Sequence, residues 1–452
     1  MTHHFDDAWQ EALNVARRAT QDGFDLVLIR DLLGRASIVV DDGRESNPYP
    51  PQRQVQLAEE LTRRCEPFVA PQPVLLTTSL FSPVPLTKGP DLLEAVTRDE
   101  DQGRGRLAIL ERGLVGQEWS RVSADPKPNR VTLYGFKGGV GRSTAATVLA
   151  NYLATLGNCV LIVDLDLESP GVSAIALNTG DMPSHGIIDF LVEAGVGNAD
   201  GLDCVGRSSR LRVAGNGEVW IAPAGGRPRN GYTYLPKLNR AYLDYPMQIA
   251  PDDAEDRSAC HTTFASRLSA AIDYCAAEVS RQSRPPDVVL LDSRAGIHDV
   301  AAVAITQLSD LSLLFGIDNA QTWSGYRELF QQWRVSGELT RRIRERLKMV
   351  GAMVPASTED AYLATFQDRA QLLFSESLYD EASADDSEAF NPPLADNSAP
   401  HYPLPILFTT DLVGVDVSAG TDWLGQDFVT TAFSRFVRGA ADLILGESGV
   451  AP

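Results

Sequence analysis

The sequence predicts an α/β fold, a twisted and mostly parallel sheet flanked by helices, behind a small N-terminal α+β domain. Three observations predict it. Residues 131–145 read VTLYGFKGGVGRSTA: a β-prone apolar run, a glycine-rich loop and a helix start, in that order. Residues 159–163 (CVLIV) and 288–291 (VVLL) are continuous apolar runs, the pattern of strands buried on both faces of a parallel sheet. Both runs end on a carboxylate, Asp164 or Asp292. Carboxylates are costly to bury, so such a strand end needs water, a partner or a metal.

Bulk properties set the frame. At 452 residues the chain is longer than one domain usually needs. The expected division is an accessory domain over 1–125 and the main α/β domain over 126–452. With 44% hydrophobic and 22% charged residues, the composition is that of a core-forming globular protein. A formal net charge of −20 disfavours broad binding to nucleic acid or an anionic membrane, leaving only a local basic patch as an exception. The five cysteines are scattered with no C-x-x-C pair, and read as reduced thiols of a cytosolic protein rather than a metal site. No run of about 18 apolar residues exists, so no membrane span is expected. The opening MTHHFDDAW is acidic and polar, unlike a signal peptide. A cytoplasmic location is the expectation.

In the first quarter, residues 5–20 carry an imperfect apolar stripe and predict a helix. Residues 26–29 and 36–40 read as strands joined by a turn, 55–64 as a helix, 74–78 as a strand and 91–96 as a short helix. Residues 98–106 are a charged, glycine-containing loop, and 107–119 a strand and turn. No catalytic spacing occurs here. DPKPN at 125–129 reads as the linker, because its prolines block helix and set an extended entry to the next strand.

The glycine loop suits phosphate. Glycines let successive backbone N–H groups turn inward, and the helix N-terminus adds partial positive charge. The general P-loop pattern is G-x-x-x-x-G-K-[ST]. Gly141 holds its second glycine, and Ser143 holds the hydroxyl that would reach magnesium. Phe136 stands at the first glycine and Arg142 at the lysine, while a second cation, Lys137, sits inside the loop. The expected cradle is Gly138, Gly139, Val140, Gly141, Arg142, Ser143 and Thr144. A helix over 144–156 follows, stopped at Gly157-Asn158.

Further on, 186–192 predicts a helix and 218–224 a strand. Residues 227–257 look like an insertion, with Tyr232, Tyr234, Tyr242 and Tyr245 packing the loop or presenting a partner surface. Then come a helix (262–281), a strand (311–317) and a helix (324–337). TRRIRERLK at 340–348 carries five cations and one acid. It reads as a solvated helix face before a strand at 349–354, with a DNA footprint as the alternative. Residues 382–403 are expected to be a mobile acidic, proline-rich loop. The last strand is expected at 404–409. Residues 427–445 form an amphipathic helix in which Val429, Phe433, Phe436, Val437, Ala440 and Ile444 face the core.

KGGVGRST is similar to the deviant Walker A box, KGGxGK[ST], of the ParA/MinD-type ATPases, a branch of the P-loop NTPases. DLDLESPG (164–171) resembles that family's second box. DSRAG (292–296) resembles its DSPAG or DTPPG, with Arg294 in place of proline. The likeness covers roughly 130–445 and implies binding of ATP with Mg2+ and an ATP-dependent homodimer. By residue match, Lys137 would reach the phosphates of the opposite subunit and Asp166 would orient the attacking water. Asp164 would hold a magnesium-bound water, and Asp292 would take the Walker B role beside Ser143. MinD relatives use a C-terminal amphipathic helix on membranes; the helix here has only two arginines and is expected to pack in the core. Arginine is bulkier and planar, so Arg142 for lysine is not conservative. Binding is expected to survive and hydrolysis to be slow, with Lys137, Asp166 and Arg142 as the catalytic set.

The expected function is a Mg-ATP-binding, ATP-hydrolysing switch that dimerises and regulates a protein partner. Variants of this type resemble members of bacterial defence or conflict operons. The alternatives are a nucleotide-binding regulatory module with negligible turnover, or a ParA-like DNA partitioning or positioning ATPase, which the acidic charge disfavours. Residues 355–357 read Pro-Ala-Ser where the family has an Asn-Arg type, so adenine rests on resemblance alone.

Overall fold

The computed structural model describes residues 4–43, 48–81, 83–88, 92–99, 103–112, 117–123, 127–211, 213, 215–243, 245–246, 261–334, 337–381, 389–413 and 422–446. The chain divides into two compact units, Met1–Gln117 and Glu118–Pro452.

The first unit is built on a mixed five-stranded sheet. Its strands are β1 (Asp25–Arg30), β2 (Ala36–Asp41), β3 (Val69–Leu76), β4 (Leu92–Val96) and β5 (Leu107–Glu111), in the order β3-β2-β1-β5-β4. Helices Phe5–Ala19 and Pro51–Cys65 bury Ala8, Ala12, Ala16, Leu57 and Leu61 in one core with Leu26, Leu28 and Ile38. Two expectations change here. Residues 92–96 form a strand, not a helix: Leu, Glu and Ala favour helix locally, but antiparallel pairing with β5 overrides that weak preference. β3 starts at Val69 despite Pro71 and Pro73. It is an edge strand, where a missing N–H leaves no ladder bond unmade.

The second unit holds an eight-stranded sheet. Its strands are β6 (Arg130–Gly135), β7 (Cys159–Asp164), β8 (Gly206–Arg207), β9 (Glu218–Ala222), β12 (Val288–Asp292), β13 (Leu311–Gly316), β14 (Leu347–Val354) and β15 (Leu404–Leu407). A small pair, β10 (Tyr245–Pro246) and β11 (His261–Thr262), stands apart from it. The order is β15-β14-β13-β6-β12-β7-β9-β8, and every pairing but β8·β9 is parallel. β6, β7 and β12 are buried throughout, as their continuous apolar runs require. Alternate residues feed opposite faces. Val131, Val160, Leu290 and Phe315 join helices Arg142–Thr155 and Asp427–Leu445. Leu161, Val289 and Leu291 join helix Phe264–Gln282, while Tyr134 and Leu314 join helices Ala320–Arg334 and Glu359–Ser377. Trp119 packs with Tyr134 and Trp333, so residues 118–123 go with this unit and the division falls ahead of 125.

Two charged or polar stretches are less solvated than expected. In 340–348 the helix ends at Ile343 and β14 already begins at Leu347. Arg344 is buried on Asp380 at 2.8 Å, and the Lys348 ammonium donates to the carbonyls of Asn397 and Ala399 at 2.7 and 2.8 Å. Of the segment 382–403, residues 382–388 lie outside the described residues. The rest is a fastened turn rather than a mobile loop: Phe390 donates to Asp380, and His401 is fully buried against Tyr379 and Leu394. Cys65, Cys159, Cys204 and Cys275 are buried without disulfides.

Among the described residues no helix is long and apolar enough to cross a membrane. Helix Asp427–Leu445 buries Val429, Phe433, Phe436, Val437 and Ala440, and Phe436 meets Phe315 edge-on at 5.8 Å. Phe436→Ala is therefore expected to cost about 3–5 kcal/mol in urea unfolding followed by circular dichroism. A loss below about 1 kcal/mol, the scale of an exposed site, would return this helix to the surface.

Candidate functional site

The carboxyl ends of β6, β7 and β12 form one edge, where ligands bind in open α/β sheets. The loop after β6 turns on Gly139 and Gly141, with φ of +76° and +82°, a conformation that glycine alone adopts without strain. Helix Arg142–Thr155 starts directly from Gly141, with no side chain capping its first turn, so its N–H groups are available to an anion. Phe136, the first departure from the P-loop pattern, is accommodated across the site. A side chain on Gly325 would lie 2.2 Å from its ring, so the glycine there makes the room.

β7 and β12 bring Asp164 and Asp292 level, as direct register partners. Both are buried. Asp164 accepts from the Ser173 hydroxyl, from Ser173 N at 3.2 Å and from Asp166 N at 3.3 Å. No donor meets either oxygen of Asp292 in full hydrogen-bond geometry among the described residues, and the Ser143 hydroxyl is near enough to lower its pKa. Burial raises both pKa values; repulsion from Asp292 raises Asp164 further, and the Arg142 charge eases Asp292. Two level buried carboxylates with a hydroxyl beside one of them form a donor set that fits a hard, oxygen-seeking cation such as magnesium. Ser143 shares this corner: its Oγ lies 3.1 Å from where a side chain on Gly171 would begin, so glycine at 171 keeps the hydroxyl clear.

Arg142 does not extend along the loop. Its side chain is 8% exposed, one guanidinium nitrogen donates to the Ser293 carbonyl, and another lies 3.9 Å from Asp166 Oδ2. Asp166 is half-buried and also accepts from Ser169 N at 3.2 Å; burial raises its pKa and Arg142 pulls it back. Lys137, Gly138 and Gly139 are exposed, and Lys137 has no ion pair among the described residues. Val140 is buried, and Ser143 and Thr144 are half-buried. Thus Arg142, Ser143, Asp164, Asp166 and Asp292 converge, while Lys137 stands out from them.

Sequence reasoning missed several participants. Ser173, on Asp164, follows Gly171 by two residues and carries no motif. Glu168 was passed over inside the second box. It takes the Arg294 guanidinium on one oxygen, and His298 Nε2 at 3.3 Å and Tyr242 OH at 2.5 Å on the other. Of the four tyrosines in 227–257, the three whose side chains are described turn inward: Tyr232 bonds Asp189, Tyr234 bonds the Leu167 carbonyl at 2.7 Å, and Tyr242 bonds Glu168. Residues 244 and 247–257 lie outside the described residues.

Residues 131–361 match the CobQ/CobB/MinD/ParA nucleotide binding domain. The chromosome-partitioning ATPase Soj of Thermus thermophilus is 47% identical over 51 residues, 11% of this chain and 20% of that protein. The chain therefore spans about a fifth of the length of that curated relative. Of solved structures, the MinD cell division protein of Aquifex aeolicus is 15% identical, over 72% of this chain and 99% of that one, with a TM-score of 0.40. A ParA family ATPase from Chlorobium tepidum is also 15% identical, over 69% and 99%, with a TM-score of 0.40.

Proposed function

Because the chain belongs to the CobQ/CobB/MinD/ParA nucleotide-binding family, we propose that it is a Mg-ATP-operated switch that hydrolyses ATP slowly, dimerises with ATP bound and acts on a protein partner. The observation that carries this reading is the pair of level, buried carboxylates at the mouth of an uncapped glycine loop, with the Ser143 hydroxyl beside Asp292. The loop N–H groups and the helix start would bind the phosphates. Ser143, Asp164 and Asp292 would hold the magnesium, which when bound supplies charge neutralisation between the phosphates. Asp166, at the strand end beside them, would orient the attacking water. Lys137 is exposed and unpaired among the described residues, which suits reaching a second copy of the chain. Arg142 is engaged by Ser293 and Asp166, so its charge is diverted from the phosphates; hydrolysis should suffer before binding does. That same engagement favours the second reading, a regulatory module with negligible turnover.

A DNA role has less support: Arg344 and Lys348 of the basic segment are turned inward, and the net charge is −20. The proposed setting, bacterial defence or conflict, rests on resemblance.

Calorimetry of the full chain with millimolar Mg-ATP tests the binding step. Heat of association is expected for the wild type and none for Gly141→Val, because valine does not take a φ of +82°. No heat from the wild type sinks the proposal.

A further inference from the structure

Two features of this chain depart from the family pattern it resembles: Arg294 in the third box, and the tyrosine-rich insertion. They meet on one carboxylate. Glu168, from the second box, faces Arg294 and His298 from the loop after β12, and Tyr242 from the insertion. The carboxylate and its partners come from three separate stretches, so only the fold assembles them. The Tyr242 ring also packs edge-on against His298 at 5.2 Å and tilted against Phe264 at 5.1 Å. Burial opposes ionising Glu168, yet its partners hold its pKa down at about 2, so it is a carboxylate with stabilising donors around it.

The insertion has a second anchor. The fully buried Asp189 accepts from Gly186 N at 2.8 Å, from Gly226 N at 3.1 Å and from Tyr232 OH at 3.0 Å, and pairs with Lys237. Helix Leu235–Ala241 is thus held at one end by Asp189 and at the other, through Tyr242, by Glu168. The loop after β12 is tied equally closely to the site. Gly296 donates to Gly135 O at 3.3 Å and accepts from Tyr134 OH at 3.1 Å, and Ser293 carries Arg142.

We propose that Glu168 is a positioning residue that fastens the second-box loop, the loop after β12 and the insertion into one unit, so that nucleotide at the site is felt at residues 232–243. This rests on the proposed function for its ligand but not for the joint itself. Movement of the loop 293–298 pulls on Glu168 through Arg294 and His298, and Glu168 passes it to Tyr242. Residues 232–243 are then a part of the surface that changes with the nucleotide.

Hydrogen exchange by mass spectrometry on the full chain tests both parts. Without ligand, Glu168→Gln is expected to speed exchange by about tenfold in both 232–243 and 293–298, since one neutral acceptor replaces a charge-assisted one in a shared network. Faster exchange in only one of the two segments, or in neither, overturns the joint. In the second arm the probe is magnesium with adenylyl imidodiphosphate. The wild type is expected to change its exchange at 232–243, while Glu168→Gln binds the analogue within about threefold of wild type and shows no such change. Tyr242→Phe, which keeps the ring and removes the donor, is expected to lose the response at 232–243 and keep it at 293–298. If the wild type binds the analogue and 232–243 does not respond, or if Glu168→Gln responds as the wild type does, the coupling is wrong. If the wild type binds no analogue, the nucleotide reading fails and the coupling with it, whatever the first arm gives.

Discussion

Replacing Asp166 by alanine is expected to cut steady-state phosphate release by about 10²–10³-fold while ATP affinity stays within a few-fold. Loss of a group that positions the reacting water typically has that size, because phosphoryl transfer depends on placement and charge rather than covalent help. Asp166 is suited to the task by where it stands. It follows the buried Asp164 by two residues, its side chain is 15% exposed, and it is held by Ser169 N. With hydrolysis stalled, ATP should accumulate dimers visible by light scattering behind gel filtration. Because Asp166 also faces Arg142, Asp166→Asn serves as a control that keeps the shape and removes the charge. Both variants should behave alike in turnover. Unchanged phosphate release in the alanine variant would mean that the protein is a binding module. Release lost without ATP-bound dimers would mean that it does not switch by dimerisation.

What could be read from the residues was what repeats locally. β7 and β12 were legible because a strand buried on both faces must be apolar throughout, and because each ends on a carboxylate. The glycine loop was legible because two positions demand a positive φ. Helix Asp427–Leu445 was legible because its apolar residues recur at helical spacing. The failures share one cause, contacts made across long stretches of chain. Residues 92–96 have helical composition and become a strand only because β5 offers an edge. Lys348 looked solvated, yet carbonyls from Asn397 and Ala399, 49 and 51 residues away, receive it. Glu168 lies inside the second box, but nothing in the box pairs it with a partner. Tyr242 lies 74 residues away, and nothing in the local pattern joins them. Arg294 did give a signal, since a cation stands where the resembled family has proline, but its partner could not be read without the fold.

Arg142 carries the second large effect, and it separates charge from shape. Asp164, Asp166 and Asp292 stand around one edge; the buried Arg142 guanidinium eases the last two, and Arg294 adds to its effect on Asp166. Arg142→Ala leaves those carboxylates without it, and removing one partner of a buried ionic cluster costs about 3–5 kcal/mol. The nucleotide-free variant should therefore unfold at markedly lower urea than wild type. The sign with pH follows from the carboxylates. Burial raises the pKa of Asp292 and Asp166, so ionising them opposes folding, and without Arg142 it opposes folding more. The stability gap between wild type and Arg142→Ala should be smallest at acid pH, below about 6 where Asp292 is protonated, and widen as pH rises through the raised values of both groups. A gap independent of pH would mean that Arg142 acts by packing alone. Arg142→Lys should keep most of the stability, because a cation remains. It cannot donate a planar fork to the Ser293 carbonyl and Asp166 together, and its slimmer ammonium is free to follow the phosphates. Turnover in Arg142→Lys is then expected to rise above wild type by about tenfold, the effect of returning one positioned charge to the reacting phosphate. A lysine variant that is stable, binds ATP and hydrolyses it no faster would show that the arginine is not what restrains this site.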